Sequence, residues 1–274
     1  AGGLLVAMPE IGHASVAVAC VGVAVLGRWM SGHIPPLTAT HPEQTMNWNP
    51  ITETLHNLQL ARTNAKVFQT LLGISWMWFF GAVFLSQFPS FAKEVLHGDA
   101  QVASLLLVLF SVGIGAGSLL CEYLSRGRVE IGLVPLGAVG MTLFAVDLYV
   151  ASGDLALSEL MGINAFVVQT KHWRIMADLL LLSLFTGIYS VPMYALIQIE
   201  SKAHEVARII AANNIINALF MIASALMAGA LLSAGLSIPD IFLWTGVANA
   251  AVTLAIFLAE PSYLHRLAAW LRGA

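Results

Sequence analysis

Residues 67–92 read VFQTLLGISWMWFFGAVFLSQFPSFA and contain no Asp, Glu, Lys or Arg. As a helix rising 1.5 Å per residue, this stretch is long enough to cross the roughly 30 Å hydrocarbon layer of a bilayer. The rest of the chain has the same character: 58% of residues are hydrophobic, 10% are charged and the mean hydropathy is +0.82. Soluble domains carry about 25% charged residues, so the sequence predicts a membrane protein.

Further charge-free runs follow at intervals and divide the chain into about seven candidate spans. Backbone groups in lipid must pair within a helix or a closed barrel, and barrel strands alternate apolar and polar side chains. Continuous apolar runs such as residues 105–109 exclude that alternation. The predicted fold is therefore an all-α, polytopic membrane helical bundle with spans at Ile11–Met30, Val67–Phe91, Val102–Cys121, Ile131–Val150, Trp173–Tyr194, Ile209–Ser233 and Ile241–Ala259.

One long polar segment, residues 31–66, separates the first span from the other six. Within it Asn49, Pro50 and Glu53 form a helix-start pattern, and a short amphipathic helix is predicted, either on the membrane surface or packed on the bundle. With alternating spans, nine of the 12 Lys and Arg residues fall on one side. The positive-inside rule then makes the segment 31–66 and the C-terminus cytoplasmic.

Signatures of enzymes and of metal sites are weak in this sequence. No phosphate-binding loop, nucleophile elbow or metal-binding His pair is present, and Cys20 and Cys121 lie in separate apolar spans. No basic stripe with interleaved aromatic residues indicates nucleic acid. We therefore expect no catalytic residues, no metal, no cofactor and no nucleic-acid partner, but contact with the lipid bilayer.

Polar residues inside spans are costly in lipid and usually face the bundle interior. They occur on three of the predicted spans, together with aromatic residues that can hold a molecule with a hydrocarbon part and a polar head. Alternatively, the amides join helices and the aromatic rings face lipid. The candidate substrate-cavity residues are Trp76, Phe79, Phe80 and Gln87, near Ser75 and Trp78; Tyr189, Tyr194 and Gln198; and Asn213, Asn214 and Asn217.

Asp147 and Asp178 lie near the outer ends of their spans. Each is a candidate proton or cation carrier, the alternative being an acid that is simply hydrated at the interface. Small residues recur at Gly113, Gly115 and Gly117 on one span and at every fourth position on another, namely Ala225, Gly229 and Ser233. Both patterns predict close approach of neighbouring helices.

The turn at residues 122–130 contains Glu122, Arg126 and Arg128 and joins two spans. It is either a gating latch, in which the arginines pair with Glu122 or Glu130, or a set of positive-inside anchors.

Four runs resemble the lysophospholipid transporter branch of the major facilitator superfamily: residues 72–81, 110–122, 190–198 and 207–220. The resemblance covers nearly the whole chain. It implies the C-terminal six-helix half of that fold plus the preceding helix, in a bacterial cytoplasmic membrane. The family's loop motif implies a gating role for Gly117, Glu122, Arg126 and Arg128, although Glu122 comes one position late and Arg128 lacks a second basic neighbour.

The resemblance also implies a domain organisation. Residues 1–30 correspond to the last helix of a missing N-terminal transporter half, 31–66 to a cytoplasmic linker, 67–259 to the six-helix half and 260–274 to a cytoplasmic tail. Some bacterial members are fused to a glycerophospholipid acyltransferase, which would follow this tail. The predicted function is alternating-access transport of lysophospholipid, the alternatives being a generic exporter of small molecules and a membrane anchor for a fused acyltransferase.

Overall fold

The computed structural model describes residues 12–35, 48–153 and 159–272, and every regular element in these ranges is a helix. The chain divides into two compact units, residues 1–50 and 51–274. In the first unit the described element is helix α1, Gly12–Ser31, whose apolar side chains, among them Val18, Leu26 and Trp29, are exposed. Such a surface suits a helix surrounded by lipid.

The second unit contains nine further α-helices in its described ranges. Helix α3 continues into a π-helical turn, Phe91–Val95, directly after Pro89, and such turns commonly follow a proline that interrupts the helical hydrogen bonds. The helices are α2 Pro50–Arg62, α3 Ala65–Ser90, α4 Ala100–Ser125, α5 Leu133–Ser152, α6 Ile163–Val168, α7 Thr170–Glu200, α8 Val206–Ser233, α9 Ile238–Ala259 and α10 Ser262–Leu271.

Seven helices of the described ranges are long and apolar enough to cross a membrane: α1, α3, α4, α5, α7, α8 and α9. The predicted all-α polytopic bundle is therefore confirmed. Each predicted span overlaps one of these helices, and the largest extension is in α7, which continues through Pro192 to Glu200.

Polar side chains fix where several helices begin. The Asn64 side chain accepts hydrogen bonds from the backbone N–H groups of Lys66 and Val67 at the start of α3. Asp99 does the same for α4, and Ser237 and Asp240 form a capping box at the start of α9. These caps satisfy backbone donors that a helix leaves unpaired at its N-terminus.

Helices α3 and α7 have the largest buried shares of the membrane-crossing helices and contact each other. Helices α4 and α5 pack mainly against α7, whereas α8 and α9 pack against α3. The bundle is completed by contact between α5 and α9. The contacts are symmetric between two triplets of helices, α3–α4–α5 and α7–α8–α9. If α3, α4 and α5 trade places with α7, α8 and α9 in that order, each contact described above corresponds to another one.

Glycines permit very close contacts between helices. Of the two predicted stripes of small residues, the one on α4 makes such contacts, with α7. A Cβ atom on Gly117 would lie 1.9 Å from the Leu184 carbonyl oxygen, and one on Gly113 would lie 1.8 Å from Ser183 Oγ. Gly115 has open space around it because two residues rotate a helix by about 200°. The predicted stripe at Ala225, Gly229 and Ser233 was wrong: these residues are exposed.

The two ends of the bundle differ in charge and in their ion pairs. We call the end that contains the start of α3 the basic end, since it carries Lys66 and Arg266. There Lys66 pairs with Glu200 at 2.6 Å and Arg266 with Glu130 at 2.7 Å. At the opposite end Arg174 of α7 pairs with Asp147 of α5. Each pair joins different elements.

Candidate functional site

A group of polar side chains lies where α3, α7 and α8 meet, in the part of these helices nearer the basic end. We call Ser75, Trp78, Tyr194, Asn213 and Asn217 the polar cluster. Trp78 Nε1 donates to Tyr194 Oη over 2.8 Å, which joins α3 to α7. Ser75 Oγ lies 2.8 Å from the Asn217 amide, which joins α3 to α8.

The hydrogen-bond network determines the orientation of the Asn217 amide. Its nitrogen donates to Ser75 Oγ at 2.8 Å and to the Asn213 carbonyl oxygen at 3.2 Å. Its oxygen then accepts from Asn213 Nδ2 at 3.0 Å and from Trp78 Nε1 at 3.2 Å. Asn213 and Asn217 are therefore mutual partners on one helix face, as their four-residue spacing predicts.

One acceptor of the polar cluster has no partner. Asn213 is 2% exposed, and its Oδ1 atom makes no hydrogen bond within the described part of the chain. Leaving a buried polar atom unpaired costs about 1–3 kcal/mol. Trp78, in contrast, is 38% exposed, so the cluster has one enclosed side and one open side. This arrangement suits a site that receives a hydrogen-bond donor from a ligand.

A cavity of about 440 Å³ lies at the basic end, beside the polar cluster. Side chains from α3, α7, α8 and their connecting segments line it, including Asn64, Glu200, Lys202 and Glu205. Ile209 also lines it, and Asn213 follows one turn further along α8, about 6 Å deeper. The cavity and the cluster therefore lie along the same set of helices.

A second buried polar network centres on Asn249 of α9, which the sequence analysis did not include. Asn249 is fully buried; its Oδ1 accepts from Trp76 Nε1 at 2.9 Å. Its Nδ2 donates to the Ala138 carbonyl oxygen at 3.0 Å and to Thr142 Oγ1 at 2.9 Å. An amide within the apolar run 241–259 was the signal that could have identified it.

The other predicted cavity residues lie apart from the polar cluster. Trp76 stacks on Phe79 beside the Asn249 network, and Phe80 is enclosed against Phe84. Tyr189 is buried and donates to the Gly73 carbonyl oxygen at 3.1 Å. The last three predicted cavity residues also lie outside the polar cluster. Gln87 is buried and donates to Ser86 Oγ, whereas Gln198 and Asn214 are exposed.

The predicted gating residues do not form a latch with one another. Gly117 is buried against α7, whereas Glu122, Arg126 and Arg128 are exposed and form no ion pair within the described ranges. Arg126 instead ends α4 in a left-handed conformation, with φ of 54°. Glu130, the predicted partner of these arginines, is bound by Arg266 of α10. The alternative in which these arginines pair with Glu130 is not formed, because Arg266 of α10 binds that carboxylate through two hydrogen bonds.

The two acidic residues of the spans are neighbours. Arg174 binds Asp147 through Nε at 3.1 Å and through Nη2 at 2.5 Å. Asp178 is 3% exposed, so the alternative that this acid is hydrated at the interface was wrong. Asp178 lies one helical turn after Arg174 on α7, on the same helix face as the guanidinium that binds Asp147.

In the described ranges, no group of three or more His, Cys, Asp or Glu residues has the geometry to hold a metal ion.

Together, the fold and the buried polar groups define a multi-pass membrane protein in contact with the lipid bilayer. Comparisons with family models, with curated proteins and with solved structures found no match for this chain.

Proposed function

We propose that this chain is the C-terminal half, together with the preceding helix, of a major facilitator transporter that moves lysophospholipid across the bacterial cytoplasmic membrane. The unpaired Oδ1 atom of buried Asn213 carries the proposal. A lysophospholipid has a free glycerol hydroxyl group where a diacyl phospholipid has an ester. That hydroxyl is a donor that pairs with Asn213 Oδ1, so the site distinguishes the lysolipid from a diacyl lipid.

The arrangement of helices supports transport by alternating access. Transporters are commonly built from repeats whose topology is inverted, with the substrate near the midplane between them. The triplets α3–α4–α5 and α7–α8–α9 each contain three spans, so the second begins on the opposite side from the first. Their exchange preserves the packing pattern described above. The polar cluster draws on α3, α7 and α8, that is, on both triplets.

The polar cluster has an open side, which supports a substrate cavity whose second wall comes from the N-terminal half of the transporter. Trp78 and Tyr194 are partly exposed although they are joined by a hydrogen bond. In lipid, a hydrogen-bonded polar pair is expected to face a cavity or another helix. Between the two halves these aromatic rings hold the acyl chain, and Asn213 and Asn217 bind the glycerol part.

The cavity at the basic end supports the exit of the headgroup on that side. Lys202 lines it with Glu200 and Glu205, and Lys66 pairs with Glu200, so the cavity offers partners for both the phosphate and a cationic headgroup. The excess of Lys and Arg makes this end, the segment 31–66 and the C-terminus cytoplasmic. Lysolipid released there is available for reacylation.

The hydroxyl contact provides the test. Full-length protein in proteoliposomes is assayed with a lysophospholipid and with its analogue in which the free hydroxyl is a methyl ether. The native protein is expected to prefer the lysolipid by about tenfold or more, equivalent to about 1.4 kcal/mol. Asn213→Leu is expected to lose that preference, because an apolar side chain accepts no hydrogen bond.

Asn214→Leu is the matched control, since it makes the same change one residue away on an exposed face of α8. It is expected to keep the preference. Equal rates for the two lipids in native protein contradict recognition of the hydroxyl. If lysolipid is not transported but unrelated solutes are, the result supports a generic exporter. If neither is transported, it supports a membrane anchor.

A further inference from the structure

We propose that Asp178 is a proton-binding site, formed with Asp147 and Arg174 at the end of the bundle opposite the basic end. The inference is independent of the transported substrate, because these residues lie outside the polar cluster. It rests on a group of two carboxyls and one guanidinium in which one carboxyl is almost completely buried.

The Arg174 guanidinium forms its ion pair with the carboxylate of Asp147. Arg174 binds both oxygens of Asp147 in a bidentate pair, the geometry in which Arg and carboxylate interact most strongly. The Asp147 side chain is 35% exposed and that of Arg174 is 52% exposed, so this pair also reaches the surface. Asp147 is therefore stabilised as a carboxylate.

Asp178 lies one turn after Arg174 on α7, so its carboxyl is on the same helix face as the guanidinium that binds Asp147. If both carboxyls were ionised, a second and buried negative charge would lie beside a single guanidinium, so one of the two groups carries a proton. Because Asp147 is held ionised by Arg174, the proton resides on Asp178. One Asp178 oxygen, Oδ2, is buried without a partner in the described part of the chain, as expected for a neutral carboxyl rather than a charged one.

Within the described ranges, Asp147 is the charged residue that faces Asp178 from the helices packed against α7. Helix α5 contributes Asp147; α4 carries no Asp, Glu, Lys, Arg or His before Glu122, and α6 carries none. The spans of α3 after Lys66 and of α8 after Arg208 are also uncharged. On α7 itself Lys171 is exposed, and the His172 ring is bonded to the Phe166 carbonyl oxygen.

Proton release changes the charge of the group from zero to minus one. The proton passes from the Asp178 carboxyl to water, which leaves two carboxylates beside a single guanidinium. An additional buried charge must be hydrated or paired, so Arg174 is drawn towards Asp178 or water enters between α5 and α7. Protonation of Asp178 therefore stabilises the closed contact between these two helices, and its release favours their separation at this end.

Infrared spectroscopy of the full-length protein in lipid tests this site directly. A protonated carboxyl has a C=O stretching band that is absent from a carboxylate. Native protein at neutral pH is expected to show this band and to lose it as the pH is raised. Asp178→Asn is expected to lack it at neutral pH, where ordinary carboxyls are ionised, whereas Asp178→Glu is expected to restore it.

Asp240→Asn is the control, since Asp240 is an acid at the same end of the bundle that is only partly buried and takes part in the capping box of α9. This variant is expected to retain the band. Absence of the band in native protein at neutral pH, or its persistence in Asp178→Asn, would overturn the proposal. Neither outcome bears on whether lysolipid is transported, which the hydroxyl-analogue assay decides separately.

Discussion

The indole of Trp76 and the amide of Asn249 join α3 to α9 through a fully buried hydrogen bond of 2.9 Å. The same amide reaches α5 through the Ala138 carbonyl oxygen and Thr142 Oγ1. One side chain thus satisfies polar groups from two other helices. Thr142 Oγ1 also donates to the Ala138 carbonyl oxygen, so the Trp76 N–H group is the one that depends on Asn249 for a partner.

Replacing Asn249 with Leu is expected to lower the free energy of unfolding by about 1–3 kcal/mol, because the Trp76 N–H group and the Thr142 hydroxyl lose this buried partner. The measurement is thermal unfolding in detergent, followed by Trp fluorescence. Asn214→Leu is the control, since Asn214 is exposed and lies outside this network. A midpoint for Asn249→Leu equal to that of the control would show that the network contributes nothing to stability.

The contact between α4 and α7 depends on Gly117. A Cβ atom there would lie 1.9 Å from the Leu184 carbonyl oxygen, so Gly117→Ala must separate the two backbones. We expect a loss of about 1–3 kcal/mol in the same unfolding experiment, as for other overpacked positions. Gly115→Ala is expected to be neutral or stabilising, because open space surrounds Gly115 and Ala favours a helix. Similar losses for both would show that the close contact at Gly117 does not determine the result, because helix propensity alone predicts a gain for each variant.

The fold could be predicted from the sequence because charge-free runs of bilayer length leave few alternatives in lipid. The pairing of Asn213 with Asn217 was also predictable, since their spacing places both on one helix face. The partners of these two residues on other helices could not be predicted. Ser75 lies 142 positions away from Asn217 in the sequence, and no local pattern links the two. Spacing identifies a helix face but not the neighbour it meets.

The same limit explains the two stripes of small residues. Gly113 and Gly117 face α7, whereas Ala225, Gly229 and Ser233 are equally well spaced but exposed. Asn249 was not predicted because it is a single amide in an apolar run and belongs to no cluster of polar residues. A lone amide in an apolar run must also find partners when it is buried, so it indicates a helix contact as strongly as a cluster does.

Helix α10 contacts the end of α4 and the loop that follows it through hydrogen bonds. Arg266 binds Glu130 through two hydrogen bonds, and Trp270 Nε1 donates to the Leu124 carbonyl oxygen at 3.2 Å. Glu130→Gln removes the charge that holds Arg266. Trypsin is then expected to cleave after Arg266 up to about fivefold faster, since an ion pair with one exposed partner contributes up to about 1 kcal/mol.

Mass spectrometry of the released fragments measures cleavage at that site. Glu122→Gln serves as the control, because Glu122 is exposed and forms no ion pair in the described ranges. It is expected to leave the rate unchanged. If Glu130→Gln is cleaved no faster than this control, the ion pair does not hold α10 in place.

The proposed orientation makes a prediction for the two ends of α4. Gln101 and Tyr123 are both exposed, and they lie at the opposite and the basic end respectively. In a background of Cys20→Ser and Cys121→Ser, a membrane-impermeant maleimide is expected to modify Gln101→Cys in intact spheroplasts. Tyr123→Cys is expected to react only after lysis, because the Lys- and Arg-rich end faces the cytoplasm. The reverse pattern of labelling would invert the bundle, placing the cavity at Glu200 outside the cell and removing the proposed inward route for lysophospholipid.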